Sequence, residues 1–154
     1  MMMIKLLDMN DDETLEQLWY LQRLAYRIEA DILGFERIPP LMDTIADLRQ
    51  TSETFYGWWA DVELVGALSY EMAAPAIMDI CRLMVHPDHF RQGIGTELLK
   101  HALQLPQAST YWIATGVRNV AALKLYEREG FRAVRDEEIV SGVWLRHLEM
   151  VKPL

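Results

Sequence analysis

The stretch VHPDHFRQGIGTELL, from Val85 to Leu99, decides the fold. An apolar strand breaks at Pro87, and a turn carrying Gly93 and Gly95 opens a helix whose apolar face is spaced as Ile94, Leu98 and Ala102. A helix that begins this way presents successive free amides to one point, and its dipole adds partial positive charge there. The glycines remove side chains that would stand in the way, so the turn suits an anion such as a pyrophosphate, with Arg91 adding a full charge at the rim. Two other phosphate loops are excluded by spacing: a dinucleotide fingerprint needs glycine where Leu98 stands, and no Gly-Lys-Ser/Thr sequence occurs. Between His86 and His101, Arg91 and Lys100 offset Asp88 and Glu97, so the segment escapes the acidity of a chain with net charge -8. From the glycines alone, a strand-to-helix turn without any ligand fits equally well.

Working outward, the strand feeding this loop is Ala76–Val85, with Ile77, Asp79, Cys81, Leu83 and Val85 expected on one face and thus one carboxylate among apolar neighbours. Beyond Pro106, Tyr111–Thr115 reads as a strand, Asn119–Glu129 as a helix, Phe131–Val134 as a strand entered through Gly130, and Gly142–Val151 as a closing strand. Strand, helix and strand at this spacing imply a right-handed parallel crossover between Ala76–Val85 and Tyr111–Thr115. Upstream, Ile4–Leu7 reads as a first strand. A helix follows, capped by Asn10, carrying Leu15, Leu18, Leu21, Ala25, Ile28 and Ile32, and stopped at Gly34. Gly34–Pro40 is a loop, and Leu41, Ile45 and Leu48 support a second short helix. Phe55–Ala60 and Leu64–Glu71 form a hairpin across Asp61, Val62 and Glu63, and Met72–Pro75 turns the chain into Ala76–Val85. The elements describe a mixed sheet flanked by helices.

At 154 residues the chain is expected to form one domain, 1–154, and its hydrophobic content of 51% suffices for one core. The acidic balance disfavours nucleic acid and anionic lipid and suits a neutral or cationic partner. Cys81 is the only cysteine, which precludes an internal disulfide and makes the cytoplasm the expected compartment. No apolar run approaches the ~20 residues of a membrane span. The opening MMMIKLLDMN meets Asp8 before a signal-peptide core develops, so export is not expected either.

Two motifs and the element order together resemble the GNAT superfamily of acyl-CoA-dependent N-acetyltransferases. The loop is similar to the family's Arg/Gln-x-x-Gly-x-Gly/Ala as Phe90, Arg91, Gln92, Gly93, Ile94 and Gly95, with Phe90 in place of the usual polar residue. The stretch NVAALKLYEREGF, Asn119 to Phe131, resembles the family's Asn-x-x-Ala-x-x-x-Tyr-x-x-x-Gly-Phe. The resemblance implies an α/β (α+β) fold: a mixed, mostly antiparallel, twisted sheet of six to seven strands flanked by about four helices. It implies acetyl-CoA as co-substrate, its diphosphate cradled by Phe90 to Gly95 and Thr96. The pantetheine arm would lie between two splayed parallel strands, beside main-chain groups of Leu83, Met84 and Val85 and near Asn119. Many relatives form dimers, so a homodimer is an expectation.

Acetyl transfer from a thioester to an amine needs three services. An alkylammonium of pKa ~10 must lose a proton, the oxyanion needs amide donors, and the thiolate needs a proton. The resemblance names Tyr126 as the acid, and Asn119, Ala122 and Tyr126 share one helical face. Asp79 is the first choice as base, since some family members carry a catalytic carboxylate on this strand; Glu71, His86 or a water are the other options. His86 and His89 flank Pro87 without further clustered ligands, so no metal is expected. Cys81 lacks a partner base and reads as a strand thiol. In the region that frames the acceptor in this family stand Trp19, Tyr20, Tyr26, Phe35, Tyr56, Trp58 and Trp59, which suit a small cationic or apolar amine or else form core. The expected function is acetyl transfer to a primary amine of a small molecule. Peptide or protein acetylation, and acyl-CoA sensing without turnover, are the alternatives.

Overall fold

The structure, a computed structural model, describes residues 2–153. Seven strands are present: β1 Met2–Leu6, β2 Thr54–Ala60, β3 Glu63–Ala74, β4 Ala76–Val85, β5 Ala108–Gly116, β6 Arg132–Val140 and β7 Val143–Val151. They form one sheet in the order β1-β2-β3-β4-β5-β7-β6. Only β4 and β5 pair in parallel, joined by the expected helical crossover. Five helices flank the sheet: α1 Asp12–Leu33, α2 Pro39–Met42, α3 Ile45–Gln50, α4 Ile94–Leu103 and α5 Val120–Arg128. The mixed, mostly antiparallel architecture is the one expected, with the short second helix divided into α2 and α3 at Asp43 and Thr44. Among the described residues no helix is long and apolar enough to cross a membrane.

The sheet separates two cores. On one face α4 and α5 bury Ile94, Leu98, Leu99, Leu123 and Tyr126 against Met78, Ile80, Tyr111 and Ile113. On the other, α1 and α3 bury Leu15, Leu18, Leu21, Tyr26 and Leu48 against Phe55, Leu64 and Met84. α1 differs from its expected form at both ends. Its N-cap is Asp11, whose carboxylate accepts from the Thr14 amide at 3.0 Å, while the Asn10 amide bonds back to Asp8. Its buried stripe drifts after Leu21 to Gln22, Tyr26, Ala30 and Leu33, which leaves Ala25, Ile28 and Ile32 on a separate flank. Gly34 stops it in the left-handed conformation, as expected.

Several strand boundaries also move, β1 and β5 starting earlier than expected, at Met2 and Ala108. The β2–β3 turn is two residues, Asp61 and Val62, with Glu63 already paired to Ala60. β3 continues through Met72 to Ala74, so the turn into β4 contracts to Pro75. β6 runs well past Val134 because its polar segment Arg135–Glu138 pairs with β7. Asp136 is bridged to Arg146 at 2.9 Å, and Glu137 lies against His147 at the same distance.

β4 carries the feature that shapes the site. Ile80 pairs with Tyr70 and Arg82 with Ser69, so Cys81 is an extra residue in the ladder, a β-bulge. The bulge inverts the alternation. Met78 and Ile80 before it, and Leu83 and Val85 after it, all pack on the α4–α5 core, so the single face expected for Ile77, Asp79, Cys81, Leu83 and Val85 does not exist. Asp79 points to the opposite face.

After the bulge, Arg82 turns toward α1 and joins a buried network. Its guanidinium donates to both oxygens of Glu53 at 2.9 Å, to Asp43 at 2.6 Å and to Gln22 at 2.9 Å, and it lies over the Phe55 ring. Removing the cation strands two partly buried carboxylates. Arg82→Ala is expected to cost about 3 kcal/mol of stability. Urea unfolding measures it, and a loss under about 1 kcal/mol would make the network equivalent to an exposed ion pair.

Candidate active site

β4 and β5 pair only from Ala76 to Ile80, opposite Ala108 to Ile113; beyond that point β4 continues to Val85 and β5 to Gly116 without pairing to each other. The bulge at Cys81 bends β4 away, and β5 stays with β7. A cleft of about 780 Å³ opens along this gap, a volume ordinary for a small-molecule site. Its walls are the second half of α1, the β4 segment from Ile80 to Val85, the end of β5, and the facing sides of α4 and α5. α1 approaches closely because Gly116 leaves room for Leu33, whose side chain a Cβ there would overlap.

At one end of the cleft lies the loop after β4. Pro87–His89 makes a single 3-10 turn capped by the His86 ring, whose Nδ1 accepts from the Asp88 amide at 3.1 Å. His86 is occupied in this cap, and its ring meets that of His89 edge-on. Arg91 and Gly93 then adopt φ of 65° and 79°. The first amide to re-enter the ladder is that of Glu97, bonded to the Gly93 carbonyl at 2.9 Å; among the described residues the amides from Arg91 to Thr96 find no acceptor. Left-handed residues interleaved with such amides form a concave anion nest at a helix N-terminus. A Cβ at Gly93 would meet nothing within 4 Å, so the space in front of the loop is open. The cradle fits a diphosphate through its backbone, which makes Phe90 in place of a polar side chain immaterial to it.

At the other end lies Tyr126. It is buried on α5, tilted against Phe131, and its hydroxyl makes no hydrogen bond among the described residues, although the residue lines the cleft. Burial, with the Glu29 carboxylate nearby, raises its pKa above the ordinary tyrosine value, so the phenol stays protonated as a donor. Asn119 caps α5 by accepting from the Ala122 amide at 3.3 Å, and its Nδ2 donates to the Thr115 hydroxyl at 3.4 Å. The Leu83 amide is taken by the Tyr26 hydroxyl of α1 at 3.3 Å rather than by a strand.

Of the residues expected at the site, Leu83, Met84, Val85, Phe90, Arg91, Gly93, Ile94, Gly95, Thr96, Asn119 and Tyr126 all line this one cleft. Gln92 does not, its side chain lying against His89. Nor is Asp79 among the lining residues: it sits beside the cleft, directly opposite Glu71 across the β3–β4 ladder. Desolvation raises its pKa, the Glu71 and Glu53 charges raise it further, and His147 opposes them. Glu71 itself is exposed and accepts from Ser52. Of the seven aromatics expected around the acceptor, only Tyr26 lines the cleft; Tyr56 and Trp58 pack on the α4–α5 core instead.

Cys81 lines the cleft but is ill suited to nucleophilic attack. Desolvation and the charges of Glu53, Asp79 and Glu71 push its thiol up to about 12. At pH 8 iodoacetamide should therefore alkylate it about 100-fold more slowly than a free cysteine, the lower thiolate fraction outweighing the gain in nucleophilicity. Mass spectrometry of timed aliquots reads this rate, and a free-cysteine rate would contradict the environment described.

Sequence reasoning missed Glu29. Its carboxylate lines the cleft and accepts from the Thr115 hydroxyl at 3.2 Å, and Thr115 in turn accepts from the Asn119 amide at 3.4 Å. The available signal was a carboxylate set among Ala25, Ile28 and Ile32 on one flank of an otherwise amphipathic helix.

Comparison with known proteins agrees with this arrangement. The chain is 33% identical over 144 residues to the UPF0157 protein YqkA of Bacillus subtilis, covering 93% of this chain and 42% of that one. It is 37% identical over 71 residues to the ribosomal protein bS18-alanine N-acetyltransferase of Escherichia coli, covering 40% of this chain and 48% of that one. The chain thus spans less than half the length of either relative in these matches. The solved structure of the ribosomal-protein-S18-alanine N-acetyltransferase from Escherichia coli aligns over 100% of this chain and 96% of its own, with TM-score 0.78 and 18% identity. The PaiA N-acetyltransferase of Thermoplasma acidophilum in complex with coenzyme A aligns over 98% and 99%, with TM-score 0.75 and 18% identity. The family model described as the acetyltransferase (GNAT) family matches residues 15–131, a span that includes the loop after β4, the splayed strands and α5: the chain belongs to the acetyltransferase (GNAT) family.

Proposed function

We propose that the protein transfers an acetyl group from acetyl-CoA directly to a primary amine of a small-molecule acceptor. The observation that carries this reading is the Tyr126 hydroxyl, protonated, without a partner, and placed in the same cleft as the anion nest of Arg91 to Thr96. A packing tyrosine would have its hydroxyl satisfied. The loop amides suit the diphosphate, and the unpaired edges of β4 and β5 suit an extended pantetheine arm. When bound, acetyl-CoA supplies the acyl thioester; the chain positions it and manages protons and charge. The Leu83 amide is the donor nearest in kind to an oxyanion site, and Tyr26 would release it or share it. Tyr126 donates to the departing sulfur. A phenol whose pKa exceeds that of a thiol by this much acts chiefly through a strong hydrogen bond.

On the acceptor side, Asp79 and Glu71 face each other, a pairing that disfavours both charges unless a cation joins them. This suits an ammonium, and Asp79 is the carboxylate that the resemblance nominates to receive its proton. A second reading, acetylation of a peptide N-terminus, is favoured by the similarity to the alanine N-acetyltransferase. Thiol release from acetyl-CoA over a panel of small amines and alanine-terminated peptides tests both. Turnover on small amines supports the first reading and turnover confined to peptides the second. Release with neither, despite cofactor binding, would identify an acyl-CoA sensor.

A further inference from the structure

We infer that Glu29 on α1, rather than a carboxylate of the sheet, is the group that takes the proton from the acceptor amine; this rests on the acetyl-transfer reading above. Among the described residues Glu29 is the only carboxylate that lines the cleft. Thr115 donates to it from the end of β5, and Asn119 at the cap of α5 donates to Thr115 in turn. It is thereby fixed where the strand gap meets the helix that carries Tyr126. A carboxylate offers about four lone-pair positions, so this one neutral donor leaves sites for an N–H.

No cation neutralises it among the described residues. Arg82 of β4 lines the same cleft but is committed to Glu53, Asp43 and Gln22. The titratable groups that feel its charge are two phenols, Tyr26 on its own helix and Tyr126 on α5. Burial raises the Glu29 pKa, with Thr115 and Asn119 opposing. An uncompensated, half-buried carboxylate lowers stability, and such groups persist where chemistry uses them. Asp79, outside the cleft lining and beside Glu71, is better placed to attract the ammonium than to deprotonate it at the thioester.

The proton balance is complete without a further reactant. The ammonium gives one proton to Glu29, which passes it to water. The freed nitrogen lone pair forms the C–N bond, the C–S bond breaks, and the sulfur takes the Tyr126 proton. Tyr126 is restored by the second proton that nitrogen loses as the amide forms. One proton is released per turnover.

Glu29→Gln preserves shape and acceptor oxygen, so it isolates the charge. On small amines that the wild type acetylates, kcat at pH 7 should fall about 100-fold with KM for acetyl-CoA within about twofold. The deficit should shrink as pH approaches the acceptor's own pKa. Without ligand, the variant should gain roughly 2 to 4 °C in Tm at pH 7, because a half-buried, uncompensated charge is gone. The sign follows from the raised folded pKa: stability from the protonated form is full below the usual carboxylate range and is lost as pH rises through the folded value. The gain should therefore vanish in acid. An unchanged kcat, or a pH-independent loss accompanied by a falling Tm, would overturn the inference. Asp79→Asn, assayed alongside, should raise KM for the acceptor, and finding the pH-dependent kcat deficit there instead would assign the proton to Asp79. Wild-type enzyme without turnover on any amine would remove the underlying reading as well, whereas an active wild type with an indifferent Glu29→Gln removes this inference alone.

Discussion

Tyr126→Phe is expected to lower kcat about 1000-fold while leaving KM and Kd for acetyl-CoA within about twofold, the range for losing a positioned acid. The asymmetry arises because the hydroxyl has no partner among the described residues, while the ring packs against Phe131 and stays in place when the oxygen is removed. The fold should survive, since no hydrogen bond is lost. Steady-state kinetics with calorimetric titration separates the two quantities. Equal losses in turnover and affinity would make Tyr126 a wall of the cleft, and no loss would remove it from the chemistry.

Gly93→Val is expected to abolish measurable coenzyme A binding while the protein remains folded. Gly93 has φ of 79°, a conformation that costs a β-branched residue roughly 1 to 2 kcal/mol. The added side chain meets no protein atom within 4 Å, so the fold can absorb the strain. What it alters is the run of free amides and the space in front of them, the two features that suit the loop to a diphosphate. A thermal shift assay should report a lower Tm that added coenzyme A no longer raises. Affinity equal to wild type would mean that the loop does not cradle the cofactor.

Much of this was legible in the sequence because it depends on local chemistry. Glycines at 93 and 95 before an apolar helix can be read without knowing what surrounds them, and so can Asn119 and Tyr126, seven residues apart on one helical face. The succession of elements followed from periodicity, and the parallel β4–β5 pairing from the crossover rule. The β4 bulge was not legible: strict alternation places Asp79 with Leu83 and Val85, and one extra residue at Cys81 separates them. β6 was cut short because Arg135–Glu138 reads as a polar loop, whereas an edge strand exposed along its whole length has no need of apolar residues. Glu29 escaped because its significance is tertiary. Only the approach of α1 to the ends of β5 and α5 turns a charged residue on a helix flank into a half-buried carboxylate in the same cleft as Tyr126.

The two readings left open for the aromatics divide for a related reason. Aromatic residues are named by type, but their faces are set by strand register. Tyr56 and Trp58 of β2 turn to the α4–α5 core, while the carboxylates Asp79 and Glu71 stand opposite each other on β4 and β3. That charge pattern argues for a cationic acceptor more directly than the aromatics did.

The most direct measurement is calorimetric titration of the purified protein with coenzyme A, set against pantetheine, which lacks the diphosphate. A Kd for coenzyme A near ~10 µM, with pantetheine at least ~100-fold weaker, is the predicted result. No heat from coenzyme A at millimolar concentration, or equal affinity for the two ligands, would contradict the assignment of the loop after Val85 as a diphosphate cradle.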